Sequence, residues 1–194
     1  MIQESVTAAA SQSSQWTLAW SRVASDRRWT FLLIAIGAFS SVIYPHPPFV
    51  AFGAIAGTTL KPRRAILVAM SIWLVNQVYG YTVRQYPWSG DSLLWGLMLG
   101  LGTLIVTALA LLRPKFSQKT LKGHCLWLGA SALLGFAVFE SLILTVDWLL
   151  TGSHTLTWAI ARGILVNTTV WTISLTLIYF VFVRFTTRSH QPIV

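Results

Sequence analysis

Acidic residues are scarce in this sequence: five in 194 positions, beside fourteen lysines and arginines. Charged residues of both signs make up only 10% of the chain and hydrophobic residues 55%, with a mean hydropathy of +0.65. A soluble domain needs about a quarter of its residues charged to clothe its surface. That class is excluded, and a chain whose main solvent is lipid is expected. Cysteine is down to one, Cys125, which excludes an internal disulfide and any multi-cysteine metal or iron–sulfur site. Cys125 itself reads as a small apolar helix residue. Catalytic signatures are lacking as well. There is no H-E-x-x-H, no P-loop and no G-x-S-x-G, and the only paired carboxylates are Glu140 and Asp147. No enzyme is expected. The stretch 1–28 holds no apolar core followed by a small-residue cleavage site, so no cleavable signal peptide is expected and the first span should anchor permanently.

What is present is a series of apolar segments. Cutting at charges, prolines and polar clusters leaves six: Trp29 to Tyr44, Pro48 to Leu60, Ala65 to Val83, Ser92 to Leu112, Cys125 to Leu150 and Trp158 to Phe185. The first two reach only about 24 and 20 Å at the helical rise, short of a hydrocarbon core of about 30 Å. Charge decides their fate. With six crossings, one side holds Arg22, Arg27, Arg28, Lys61, Arg63, Arg64, Arg113, Lys115, Lys119, Lys122, Arg184 and Arg188, and the other only Arg84 and Arg162. Such asymmetry predicts both termini in the cytoplasm. If the second segment did not cross, Lys61, Arg63 and Arg64 would change sides and the asymmetry would fail. The fold class expected is therefore an all-α integral membrane protein: a six-transmembrane-helix bundle with a short second helix. A cytoplasmic segment 1–28, a membrane domain 29–186 and a cytoplasmic tail 187–194 complete it. The first two helices should form a hairpin closed by Pro45-His46-Pro47-Pro48 on the outer side. Within 1–28, Trp16, Trp20 and Val23 share one helical face, which predicts an interfacial helix on the inner surface, the alternative being a disordered tail. Because the basic residues stand at the ends of apolar runs rather than in one stripe, they indicate topology and not nucleic acid.

Polar residues at membrane depth are the chemical candidates. Glu140 lies near the centre of the fifth segment, with Asp147 seven residues on along the same face. A charge there costs about 3 kcal/mol on insertion scales, so Glu140 should face the bundle interior. It is either a ligand or proton-linked group or a structural hydrogen-bonding one. Asp147 is expected to pair with Arg162. Asn76 and Gln77, and Asn167, Thr168, Thr169 and Thr172, are expected to bond between helices, with Asn76 and Asn167 also able to face a ligand. Gly96, Gly100, Thr103 and Thr107 form one smooth stripe for helix packing, and the Gly/Ala-rich second segment should pack closely on its neighbours. Tyr44, Phe49, Phe52, Tyr79, Tyr81, Tyr86, Trp88, Trp95, Trp148 and Trp158 gather on the outer half. An interfacial belt accounts for some of these, and a small-molecule pocket at the outer face would account for the rest. His46 and His154 also fall outside, where they either meet water or share a metal or corrinoid cobalt.

A small, basic protein with six spans, inner termini, a short Gly/Ala-rich second segment and an aromatic outer face resembles the S-components of energy-coupling-factor transporters. The resemblance is carried by HPPFVAFGAIAGTTLKPRRAILVAMSIWLVNQVYGY, His46 to Tyr81, and extends loosely over Trp29 to Phe185. It implies capture of a vitamin, corrinoid or metal-cofactor ligand at the outer face and its delivery across the cell membrane, the plasma or inner membrane of a prokaryote, with an energising ATPase module or other membrane subunits as partners. It implies no particular cofactor. The ligand site it implies comprises His46, Phe49, Asn76, Tyr79, Tyr81, Trp88, Glu140 and Asn167, with no catalytic residue and no protein-bound metal. Members carry an AxxxA docking pair in the first helix; here Ala35 is followed by Phe39, and only Gly37 with Ser41 offers a substitute. That departure fits a solitary member. The rival reading is a non-catalytic assembly or scaffold subunit of a larger membrane complex.

Overall fold

The structure is a computed structural model that describes residues 15–44, 47–151 and 158–188. Every regular element among them is a helix: α1 (15–25), α2 (Arg27–Ile43), α3 (Phe49–Thr59), α4 (Pro62–Thr82), α5 (Gly90–Leu111), the short α6 (Lys115–Lys119), α7 (Leu121–Thr151) and α8 (Trp158–Arg188). Local chemistry sets several starts. The Asp26 carboxylate accepts from the Arg28 amide at 2.8 Å to cap α2, Pro62 opens α4 where no N–H is needed, and the Ser89 hydroxyl accepts from the Ser92 amide to cap α5.

Four helices, α4, α5, α7 and α8, are long and apolar enough to cross a membrane. Their outward faces carry leucine, isoleucine, valine and phenylalanine, such as Leu74, Leu101, Leu133, Val170 and Leu177, as a lipid-facing surface requires. The two short segments behave differently. α2 has 17 residues and packs on α4. α3 has 11 residues, about 16 Å of helix, and every one is buried. It is the pillar of the bundle, packed against α4, α5, α7 and α8. The outer helices close a ring around it: α2 meets α4, α4 meets α5, α5 meets α7 and α7 meets α8. Aromatic contacts join α8 back to α2, with Trp29 to Tyr179 and Trp29 to Phe182 both at 5.4 Å between ring centres, and Trp171 of α8 also meets Tyr44 at 6.2 Å. A helix apolar on all sides suits a core or a membrane span, and at 11 residues this one is too short to span alone.

Small residues make this possible. A Cβ on Gly57 would lie 2.5 Å from the Ala110 Cβ and 2.7 Å from the Thr107 carbonyl of α5. One on Gly53 would meet Val106 and Thr107. The α5 stripe splits as the helix turns: Gly96 and Gly100 receive Gln77 and Trp73 of α4, while Thr103 and Thr107 lie against α3. Gly37 is filled by Ile72 of α4, and Ser41 beside it is buried. That pair is therefore spent inside the bundle and does not serve as a substitute docking motif.

The end of α3 at Leu60 adjoins Ala24, whose carbonyl accepts from the Lys61 amide at 3.4 Å. α2 and α3 thus form the expected hairpin, with the described half of its turn at Pro47 and Pro48. The last carbonyls of α3 have no partner within their own helix. Arg113, whose backbone enters the left-handed region (φ 39°) as α5 ends, sends its guanidinium under α3 and donates to the carbonyls of Gly57 and Leu60. Burial pulls its pKa down to about 10, so it stays cationic at neutral pH and complements the negative end of the helix. Trp20 stacks over this guanidinium at 4.9 Å and donates Nε1 to the Thr58 carbonyl at 3.1 Å. Trp29 donates to the Thr59 hydroxyl at 3.0 Å. Consequently the α1 face of Trp16, Trp20 and Val23 turns onto the protein: Trp16 packs on His124 at 5.1 Å and Val23 is buried. The helix expected to lay that face on lipid instead seals the basic end of the bundle.

Interhelical hydrogen bonds also depart from expectation. Thr169 and Thr172 bond the carbonyls of Leu165 and Thr168 in their own helix, at 2.8 and 2.7 Å, because a hydroxyl in an apolar setting reaches the i−4 carbonyl with least rearrangement. Tryptophan supplies bonds between helices: Trp73 Nε1 to the Gly96 carbonyl at 2.7 Å and Trp127 Nε1 to the Ala110 carbonyl at 3.0 Å.

Gly57→Ala should lower the melting temperature of the detergent-purified protein by about 4–8 °C, since it overpacks against backbone at a cost of about 2 kcal/mol. Gly129→Ala, where an added Cβ meets nothing within 4 Å, should leave it unchanged; equal effects of the two substitutions would contradict the packing described.

Candidate functional site

At the end of α3 opposite Arg113 lies a cavity of about 490 Å³. It is lined by Pro47 and Pro48, by Phe49 and Val50 in the first turn of α3, by Trp95 and Leu99 of α5, by Phe139, Glu140 and Ile143 of α7, and by Ile164, Asn167 and Thr168 of α8. The spacings explain the convergence. On α5, α7 and α8 these residues fall at steps of one, three and four, so each helix turns one narrow face inward. A second cavity of about 350 Å³ lies between α4 and α5, lined by Asn76 and Gln77, by Tyr86 and Pro87, by Ser89, Asp91 and Ser92, and by Gly96. Trp95 and Leu99 line both, so the two spaces are neighbours with one tryptophan and one leucine as the shared wall.

The rim of the smaller cavity is built by a folded-back loop. Gln85 takes a left-handed backbone (φ 56°), and the Tyr86 amide returns to the Gly80 carbonyl at 3.1 Å. The Tyr86 ring then lies where a Cβ on Gly80 would be, 2.5 Å from that point; only glycine allows this approach. Tyr81 meets Tyr86 edge-on at 6.0 Å, lies 4.6 Å from Trp88 and bonds the Ser92 hydroxyl at 3.0 Å. Arg84 donates to the carbonyls of Ser41 and Val42, both at 3.1 Å, capping the end of α2 as Arg113 caps α3.

Of the residues singled out in the sequence, Phe49, Glu140 and Asn167 come from three different helices to line the larger cavity together. Asn76 lines the smaller one. Tyr81 supports Tyr86 at the rim, and Trp88, 78% exposed, stacks on Tyr81 from outside. Tyr79 lines neither space; its ring lies 5.6 Å from the Arg84 guanidinium. His46 and His154 lie outside the described residues. Trp95, Phe139, Ile143 and Ile164 were not singled out as ligand contacts, although the face of Glu140 does carry Phe139 and Ile143 one and three positions away. Among the described residues no group of three or more His, Cys, Asp or Glu could hold a metal ion.

Glu140 is the chemical centre of the larger cavity. It is 7% exposed, and its Oε2 is buried with no hydrogen-bond partner among the described residues. Asp147 is buried too, while Arg162 is exposed. A buried polar group left without a partner costs about 1–3 kcal/mol, so Glu140 weakens the fold that holds it. Glu140→Met should therefore raise the melting temperature by about 2–6 °C in ligand-free protein; a drop of that size would show that the carboxylate is a structural bond instead.

No protein-family model, no curated protein and no solved structure matches this chain.

Proposed function

We propose that this protein is a membrane-embedded subunit that captures a small molecule at the Pro47 end of the bundle and delivers it across the membrane, in the manner of the transporter S-components it resembles. The observation that carries this reading is the larger cavity, where apolar walls from α3, α5, α7 and α8 surround a few convergent polar groups, the usual composition of a ligand site. In this reading the chain is a binding and transport protein and not an enzyme. Its partners are the ligand, the bilayer and an energising or assembly subunit. α2 and α3 complete six crossings, with both termini cytoplasmic and the protein in the plasma or inner membrane of a prokaryote. The distribution of Lys and Arg supports that orientation, and the Gly37–Ser41 face being occupied by α4 supports a solitary member over one using a shared docking pair.

Two measurements test the proposal. In a Cys125→Ser background, Gln85→Cys, an exposed position, should react with an impermeant thiol reagent on intact cells, and Lys119→Cys only after permeabilisation; the reverse pattern inverts the orientation, and labelling of both in intact cells breaks the six-span arrangement. Native mass spectrometry of the purified chain should detect a bound small molecule that Ile143→Trp, which fills the cavity, removes. Protein that never carries or binds a small molecule but copurifies with other subunits at fixed stoichiometry would favour the assembly-subunit reading.

A further inference from the structure

We infer that the ligand of the larger cavity is an organic monocation on an apolar body, held by Glu140; this deepens the capture reading and rests on it. The walls of the cavity are largely apolar, and Glu140 of α7 and Asn167 with Thr168 of α8 are the polar side chains among them. All three can accept a hydrogen bond, and only Glu140 carries formal charge. A carboxylate in an apolar interior keeps its charge only beside a positive partner, and none is at hand among the described residues. No lysine, arginine or histidine is among the lining residues. Arg113 is engaged on the carbonyls of Gly57 and Leu60 and Arg84 on those of Ser41 and Val42, Arg64, whose Nη1 is also buried, stands in the first turn of α4 just after the Leu60 end of α3, and Arg162 is exposed. The missing positive charge is the ligand's.

The same surroundings separate an organic cation from a metal ion. Calcium and magnesium take six or more oxygens, several of them carboxylates or waters, whereas this cavity offers one carboxylate among apolar side chains. Its aromatic residues, Phe49, Trp95 and Phe139, bring π systems to the wall, and such systems attract an alkylammonium or heteroaromatic cation. About 490 Å³ is room for a body of one or two rings. α3 also begins here, so the positive end of its dipole faces the cavity and helps to offset the Glu140 charge when the site is empty.

A matched series with one ring system tests the charge alone: tryptamine, tryptophol and indole-3-acetate, titrated calorimetrically into the full-length detergent-purified chain at neutral pH. Tryptamine should bind about ten- to a hundredfold more tightly than tryptophol, the worth of one charge-assisted hydrogen bond, and indole-3-acetate should not bind. Glu140→Gln should bring the tryptamine to tryptophol ratio close to one, and Glu140→Asp should keep the cation preference. Equal binding of the three, tightest binding of the anion, binding of none, or a preference that survives in Glu140→Gln would each overturn the inference. The capture reading stands apart from that result: a molecule that copurifies with the native chain and is lost in Ile143→Trp upholds it even where the indole series shows no preference for positive charge.

Discussion

The constraint on which the rest of the molecule depends is the burial of α3 on every side. A helix of 11 residues sealed among four others must be smooth enough to be approached from all directions. It must also have the polar groups at its ends satisfied by something outside itself. The first demand accounts for Gly53, Gly57 and the alanines, and for the threonines and alanine that α5 presents to them. The second accounts for the convergence of Arg113, Trp20 and Trp29 beneath the last turn. Without that ceiling of donors, several carbonyls would end in a region with no water to meet them, at a cost of about 1–3 kcal/mol each.

The shortness of α3 also gives the cavity a cause. α5 runs for 22 residues and α7 and α8 for 31 each, so a pillar of about 16 Å cannot fill the space they enclose. At the basic end the remainder is occupied by α1, which brings Trp16, Trp20 and Val23 under the bundle. At the Pro47 end no helix plays that part among the described residues, and the gap between the first turn of α3 and the long helices is the larger cavity. The same mismatch that makes α3 unsuited to contact lipid thus leaves a pocket inside the bundle.

Arginine and tryptophan each do two jobs here. Arg84 and Arg113 belong to a charge distribution that indicates topology, and they also cap α2 and α3 from neighbouring loops, where a cation complements the helix dipole. Tryptophans are expected at membrane interfaces, yet Trp20, Trp73 and Trp127 spend their indole N–H groups on backbone carbonyls of other helices. Glycine and alanine on the accepting helices, Gly96 and Ala110, let the bulky ring come close enough to bond.

The sequence by itself determined the elements: the apolar runs mark the long helices to within a few residues, and the Gly/Ala-rich stretch marks a tightly packed short helix. It also pointed to Glu140, since a carboxylate in an apolar run must turn inward, and to Phe49 and Asn167. It did not reveal that these three share one cavity, that Tyr79 turns to Arg84, or that Trp95 and Leu99 divide two spaces. It assigned the α1 face to lipid, whereas that face meets protein. Those facts depend on which faces meet across distances of tens to more than a hundred positions in the chain. Periodicity records that a face is apolar or small, but an apolar face satisfies lipid and protein equally well. Only the closing of five helices around a pillar too short to fill them decided which residues enclose the empty space.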